Sequence, residues 1–103
     1  MKVYDYLNNE FEIEEIAARI ECNLGNKESL TDSRLIGCRK IEASFFSESN
    51  GFEIVVTSTG KYSLVSYGEL SVGVVFRPTT GTVVYQYCSL PDQFNIISIT
   101  GYK

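Results

Sequence analysis

From Lys40 onward the chain alternates between apolar and polar residues, and a half-buried β-strand is what such alternation builds. Ile41, Ala43 and Phe45 take turns with Lys40, Glu42 and Ser44. At a period of two these side chains line opposite faces of a strand. Asn50-Gly51 follows, a strong hairpin signal because both centres of a two-residue I′ turn need positive φ. Phe52, Ile54 and Val56 resume the pattern. The spacing predicts adjacent antiparallel strands over residues 40–47 and 52–58. Thr59-Gly60 offers a second turn before Tyr62 and Leu64, and Gly68-Glu69 a third before Leu70, Val72, Val74 and Phe76. Pro78-Thr79-Thr80-Gly81 is a turn with proline fixing φ and glycine closing it. Val83, Tyr85 and Tyr87 share a face of the next strand, Leu90-Pro91-Asp92-Gln93 turns again, and a last strand covers residues 94–100. Turns this short make neighbouring strands antiparallel.

The beginning of the chain reads differently. Ile13, Ile16, Ala17, Ile20 and Leu24 recur at spacings of three and four, the mark of an amphipathic helix. Asn9 suits its N-cap, Glu12 completes a capping box, and Gly25 suits the C-terminal stop. Residues 3–8 read as a short separate helical turn. Residues 26–39 fit either a second short helix or a first strand. The expected fold class is therefore α+β: one domain over residues 1–103, with an N-terminal acidic helix packed on a twisted antiparallel sheet of about six strands.

Several kinds of chemistry are excluded by composition. The chain has no histidine, which removes Ser-His-Asp and Cys-His catalysis. Thr59-Gly60-Lys61 departs from a phosphate loop, since Val55 stands where its first glycine belongs and Tyr62 where Ser or Thr holds magnesium. No GxGxxG is present. Cys22, Cys38 and Cys88 are odd in number and widely spaced, so they are expected as reduced, buried residues and not as a zinc site. Glu48 and Glu53 flank a turn that water reaches. No catalytic residue, cofactor or metal is expected. A pI near 4.7 disfavours nucleic acid, and Arg34, Arg39 and Lys40 beside Phe45 and Phe46 read as a strand's polar face over core phenylalanines. No apolar run approaches the ~20 residues of a membrane helix, and the first residues lack the pattern of a signal peptide. A cytoplasmic location is expected.

Charge is the remaining functional signal. Residues 1–28 carry seven acids and three bases, so the whole net charge of −4 belongs to them. Asp5, Glu10, Glu12, Glu14 and Glu15 would present an acidic face to a basic protein partner, with Tyr4, Tyr6 and Phe46 as anchors, since tyrosine is favoured at interfaces. In layout and charge the chain resembles the small bacterial immunity proteins of toxin systems. That resemblance rests on no motif, and it implies a non-enzymatic inhibitor of a basic, nuclease-type toxin. The alternative is a small-ligand-binding or minor enzymatic domain in which Tyr62, Tyr67, Tyr85 and Tyr87 line a pocket between helix and sheet. A third possibility is a structural subunit that self-associates through an exposed edge strand.

Overall fold

A computed structural model describes the backbone of residues 2–4 and 10–12 and the whole of residues 15–103. Among these residues the chain is all-β: ten strands and one short 3₁₀ turn, with no α-helix. Strands β1 (Lys2–Tyr4) and β2 (Glu10–Glu12) pair with each other as a ribbon. Strand β3 (Ile16–Leu24) leads to β4 (Ser29–Thr31), the 3₁₀ turn (Ser33–Leu35) and β5 (Lys40–Ser47). Then come β6 (Phe52–Ser58), β7 (Tyr62–Tyr67), β8 (Leu70–Arg77), β9 (Thr82–Cys88) and β10 (Asn95–Tyr102). They form two four-stranded antiparallel sheets, in the orders β3-β10-β5-β6 and β4-β9-β8-β7.

Six strands follow residue 40 as expected, but the single sheet expected for them is overturned: they are divided between two sheets, and β6 and β7, like β9 and β10, are joined by short loops without pairing. The α+β class and its acidic N-terminal helix are overturned. Over residues 16–24 the inward residues Ala18, Ile20 and Leu24 are buried, half-buried Cys22 continues their row, and Arg19, Glu21 and Asn23 face out. Ile16, expected in the core, is 51% exposed. Glu12, the expected capping-box acid, lies in β2, opposite Lys2. Ile13, Asn9 and most of residues 3–8 lie outside the described residues. Leu24 and Gly25 end a strand rather than a helix. Residues 26–39 combine both earlier alternatives, a three-residue strand and then one 3₁₀ turn.

The cover that the helix was expected to provide comes from the second sheet. Ile41, Ala43 and Phe45 of β5, Val56 of β6, and Ile96 and Ile99 of β10 are fully buried, as are Val72 and Val74 of β8 and Val83 and Tyr85 of β9. They belong to one core. Phe45 and Tyr85 meet edge-to-face across it, with centroids 4.9 Å apart, a favoured aromatic geometry. The Tyr85 hydroxyl donates to the Phe94 carbonyl at 2.8 Å, and burial pushes its pKa above the ordinary tyrosine range. Cys38 and Cys88 are buried and Cys22 half-buried, all three as free thiols; burial raises the thiol pKa of Cys22 and Cys38.

Two four-residue loops share one geometry. Residues 48–51 join β5 to β6, and the Gly51 N–H donates to the Ser47 carbonyl. Residues 78–81 join β8 to β9, and the Gly81 N–H donates to the Arg77 carbonyl. Gly51 has φ +62° and Gly81 +69°, whereas Asn50 is not left-handed, so the expected I′ turn at Asn50-Gly51 is corrected to a longer loop with one left-handed residue. The 3₁₀ turn packs beside the second loop: the Asp32 N–H donates to the Gly81 carbonyl and the Gly37 N–H to the Pro78 carbonyl, each at 3.0 Å. The Asp32 carboxylate caps this turn by accepting from the Arg34 N–H and also from its guanidinium, at 2.9 and 3.0 Å. Those bonds to Arg34 hold the Asp32 pKa down at about 2.

Candidate functional site

Three features of the second sheet combine on its outer face. The first is a bulge in β9. Gly73 pairs with Tyr87 and Val74 with Tyr85, which leaves Gln86 as the extra residue. A bulge re-aims the side chains that follow it. Val83 and Tyr85 point into the core, but Tyr87, expected on their face, is turned outward and is 42% exposed.

The second feature is Gly73. A Cβ there would lie 2.6 Å from the hydroxyl oxygen and 2.7 Å from a ring carbon of Tyr62. The absent side chain lets the Tyr62 ring rest across β8 while 47% of the residue faces solvent. An aromatic ring covering a strand glycine restores the contact that the missing side chain forgoes.

The third is Lys27, the one non-glycine residue with positive φ among the described residues, at 71°. It is the third residue of a turn closed by the Glu28 N–H on the Gly25 carbonyl. Its own N–H donates to the Tyr85 carbonyl, and the Tyr85 N–H donates to Glu28. Two residues thus oppose one, a bulge of the kind whose first position normally holds glycine. A lysine in this conformation costs on the order of 1–3 kcal/mol. Its ammonium reaches the Gln86 carbonyl at 2.6 Å.

Together these residues make a shallow groove of about 480 Å³ lined by Lys27, Tyr62, Val75, Arg77, Gln86 and Tyr87. Two cations and two tyrosines line it, and no acid does. Arg77 is exposed and has no carboxylate partner among the described residues. Leu64, 51% exposed, extends the apolar surface along β7 opposite Gly73.

A second groove, of about 510 Å³, lies at one end of the first sheet. A bulge at Ile97 in β10 opens it beside Phe46, and Glu48, Asp92, Asn23, Ser49, Gln93 and Asn95 complete the lining. Its amides are already engaged: Asn95 donates to Asn23, and Asn50 to Gln93. Glu53 sits opposite Phe46 on β6.

The expected site residues are dispersed. Phe46 is half-buried in the second groove. Glu15 is exposed, and its carbonyl accepts from the Lys103 N–H. Register sets Glu10 opposite Tyr4 in the ribbon, and Glu12 falls two residues on. Asp5, Tyr6 and Glu14 lie outside the described residues. The four tyrosines of the alternative pocket are also divided. Tyr62 and Tyr87 share the first groove, Tyr85 is a core residue, and Tyr67 packs on Phe52 at 6.1 Å. With no helix present, a pocket between helix and sheet does not exist among the described residues. Lys27, Gly73 and Arg77 were not singled out by sequence reasoning; a lysine beside Gly25-Asn26 and a glycine inside an apolar strand were the available signals.

No group of three or more metal-ligating side chains occurs among the described residues, and none of their helices is long and apolar enough to cross a membrane. No family model, curated protein or solved structure matches the chain.

Proposed function

We propose that this chain is a non-enzymatic protein-binding domain that holds its partner on the outer face of the second sheet. The observation that carries this reading is the exposure of Tyr62 and Tyr87 beside Lys27 and Arg77, produced by a bulge, a glycine and a left-handed lysine. Tyrosine and arginine are the residues most enriched where proteins meet. The groove is too open to bury most of a small molecule, as ligand pockets do. A shallow aromatic groove flanked by two cations that pair with no carboxylate among the described residues suits a partner that presents carboxylates.

A second reading is favoured by the groove around Phe46. There Glu48 and Asp92 line the groove with Phe46, Glu53 sits opposite that ring on β6, and a basic partner, such as the toxin of an immunity-type pair, fits that charge. It draws further support from the acidic character of residues 1–28. The α+β layout that prompted the immunity-protein resemblance no longer supports it.

Affinity capture with the chain as bait separates the two. Tyr62→Ser with Tyr87→Ser is expected to lose the partner that the wild type retains, while Glu48→Lys with Asp92→Lys keeps it. Glu48 and Asp92 are exposed, so their double variant should melt within a few degrees of wild type, whereas Tyr62→Ser also uncovers Gly73, and a thermal melt must show that the tyrosine double variant is folded at the capture temperature. The reverse pattern of loss selects the Phe46 groove. Retention by both variants rejects both faces.

A further inference from the structure

We propose that two copies of this chain pair through β7, antiparallel, about a two-fold axis at Val65. The inference rests on a sheet edge and is independent of the groove. Strand β7 ends its sheet: it pairs with β8 on one side, and no described strand pairs with it on the other. A strand edge with free amide groups is a template for another strand unless something guards it.

Each of the other three edges of the two sheets is guarded. Strand β4 has only three residues; β3 carries Arg19 and Glu21 and irregular pairing; β6 carries Glu53. Strand β7 reads Tyr-Ser-Leu-Val-Ser-Tyr, without charge or proline. It also concentrates exposed apolar surface, with Tyr62, Leu64 and Tyr67 all open to solvent and Tyr67 67% exposed.

The backbone phase fits strand addition. The two-residue loop of Gly68 and Glu69 closes on the pair Tyr67 and Leu70, and such loops close on a hydrogen-bonded pair. Alternation then turns the N–H and C=O groups of Ser63, Val65 and Tyr67 toward β8, and those of Tyr62, Leu64 and Ser66 toward the open edge.

Self-complementarity identifies the occupant as a second copy. With the axis at Val65, Leu64 of each copy meets Ser66 of the other as a hydrogen-bonded pair. Ser63 meets Tyr67. At the two ends, Lys61, just before the strand, lies nearest the Gly68-Glu69 loop of the other copy, so opposite charges that flank the strand stand near each other twice. Such an isologous contact closes on itself and does not propagate into fibres. It would merge the two second sheets into one of eight strands, with both tyrosine grooves on its outer face.

Sedimentation equilibrium from low micromolar to sub-millimolar concentration tests this. The wild type is expected to dimerise. Lys61→Glu turns both end pairs repulsive and should weaken the dimer about tenfold, and Lys61→Glu with Glu69→Lys should restore it. Ser66→Pro removes an amide that faces the open edge, a position proline tolerates, and should abolish dimerisation while circular dichroism is unchanged. If that variant misfolds, Leu64→Lys, an edge guard on an exposed side chain, serves instead. A wild type that stays monomeric throughout overturns the proposal. So does a dimer indifferent to the edge substitutions, or a double charge swap that fails to restore association.

Discussion

Gly81→Ala is expected to destabilise the protein by about 3–5 kcal/mol, while Gly51→Ala, in a loop of the same geometry, costs only about 1 kcal/mol. Both glycines have positive φ and both N–H groups close their loops on the residue four positions back. They differ in surroundings. An added Cβ at Gly51 meets nothing within 4 Å, whereas at Gly81 it falls 2.2 Å from the Asp32 carbonyl oxygen and 3.2 Å from the Ile36 nitrogen. Neither neighbour is the free end of a side chain. Relief requires the 3₁₀ turn to draw away from the loop, which breaks the bonds from Asp32 to Gly81 and from Gly37 to Pro78. Urea titrations of the two variants check the difference. Equal losses would mean that the turn and loop do not pack as described.

Tyr85→Ala is expected to cost at least about 4 kcal/mol, enough to leave little folded protein if total stability lies at the low end of the usual range. Tyr85 has no exposed surface and is the largest fully buried side chain among the described residues. Its removal opens a cavity between the sheets, takes away the edge contact with Phe45, and leaves the Phe94 carbonyl without its donor. Tyr85→Phe isolates the last term and should cost about 1–2 kcal/mol. Both values come from denaturant unfolding. A loss below about 1 kcal/mol for the alanine variant would show that the sheets do not pack face to face through this ring.

The contrast between these two residues and the N-terminal segment explains what was legible in the sequence. The pairs β5–β6, β7–β8 and β8–β9 join near neighbours across short loops, so local alternation and turn residues disclosed those strands, and the turn at residues 90–93 disclosed β10, whose partners β3 and β5 are distant in sequence. Strand β3 pairs with β10, and Ile20 lies opposite Ile99, a partner that no local pattern indicates. Ile16, Ile20 and Leu24 are spaced by four, which satisfies a helix and also keeps parity in a strand. The deciding signal was the pair Ala18 and Cys22 alternating with Arg19, Glu21 and Asn23. The groove was harder still. Tyr85 and Tyr87 look equivalent at a period of two, and only the bulge at Gln86 sends one inward and the other outward. Lys27 gives only a weak sign of its left-handed conformation, its place after Gly25-Asn26, because glycine is what such a position usually announces.

That conformation supplies the most direct test of the binding face. Lys27→Gly removes a groove cation and at the same time installs the residue that the bulge prefers. Stability should be unchanged or up to about 1 kcal/mol greater, so any loss of binding belongs to the side chain and not to the fold. Calorimetric titration of the captured partner, alongside thermal melts, reads both quantities from the same pair of proteins. The expected result is a melting temperature at or above that of wild type together with binding at least about tenfold weaker, a change of about 1.4 kcal/mol. Wild-type affinity in a protein that melts no lower would contradict it and remove the second sheet's outer face as the place where the partner sits.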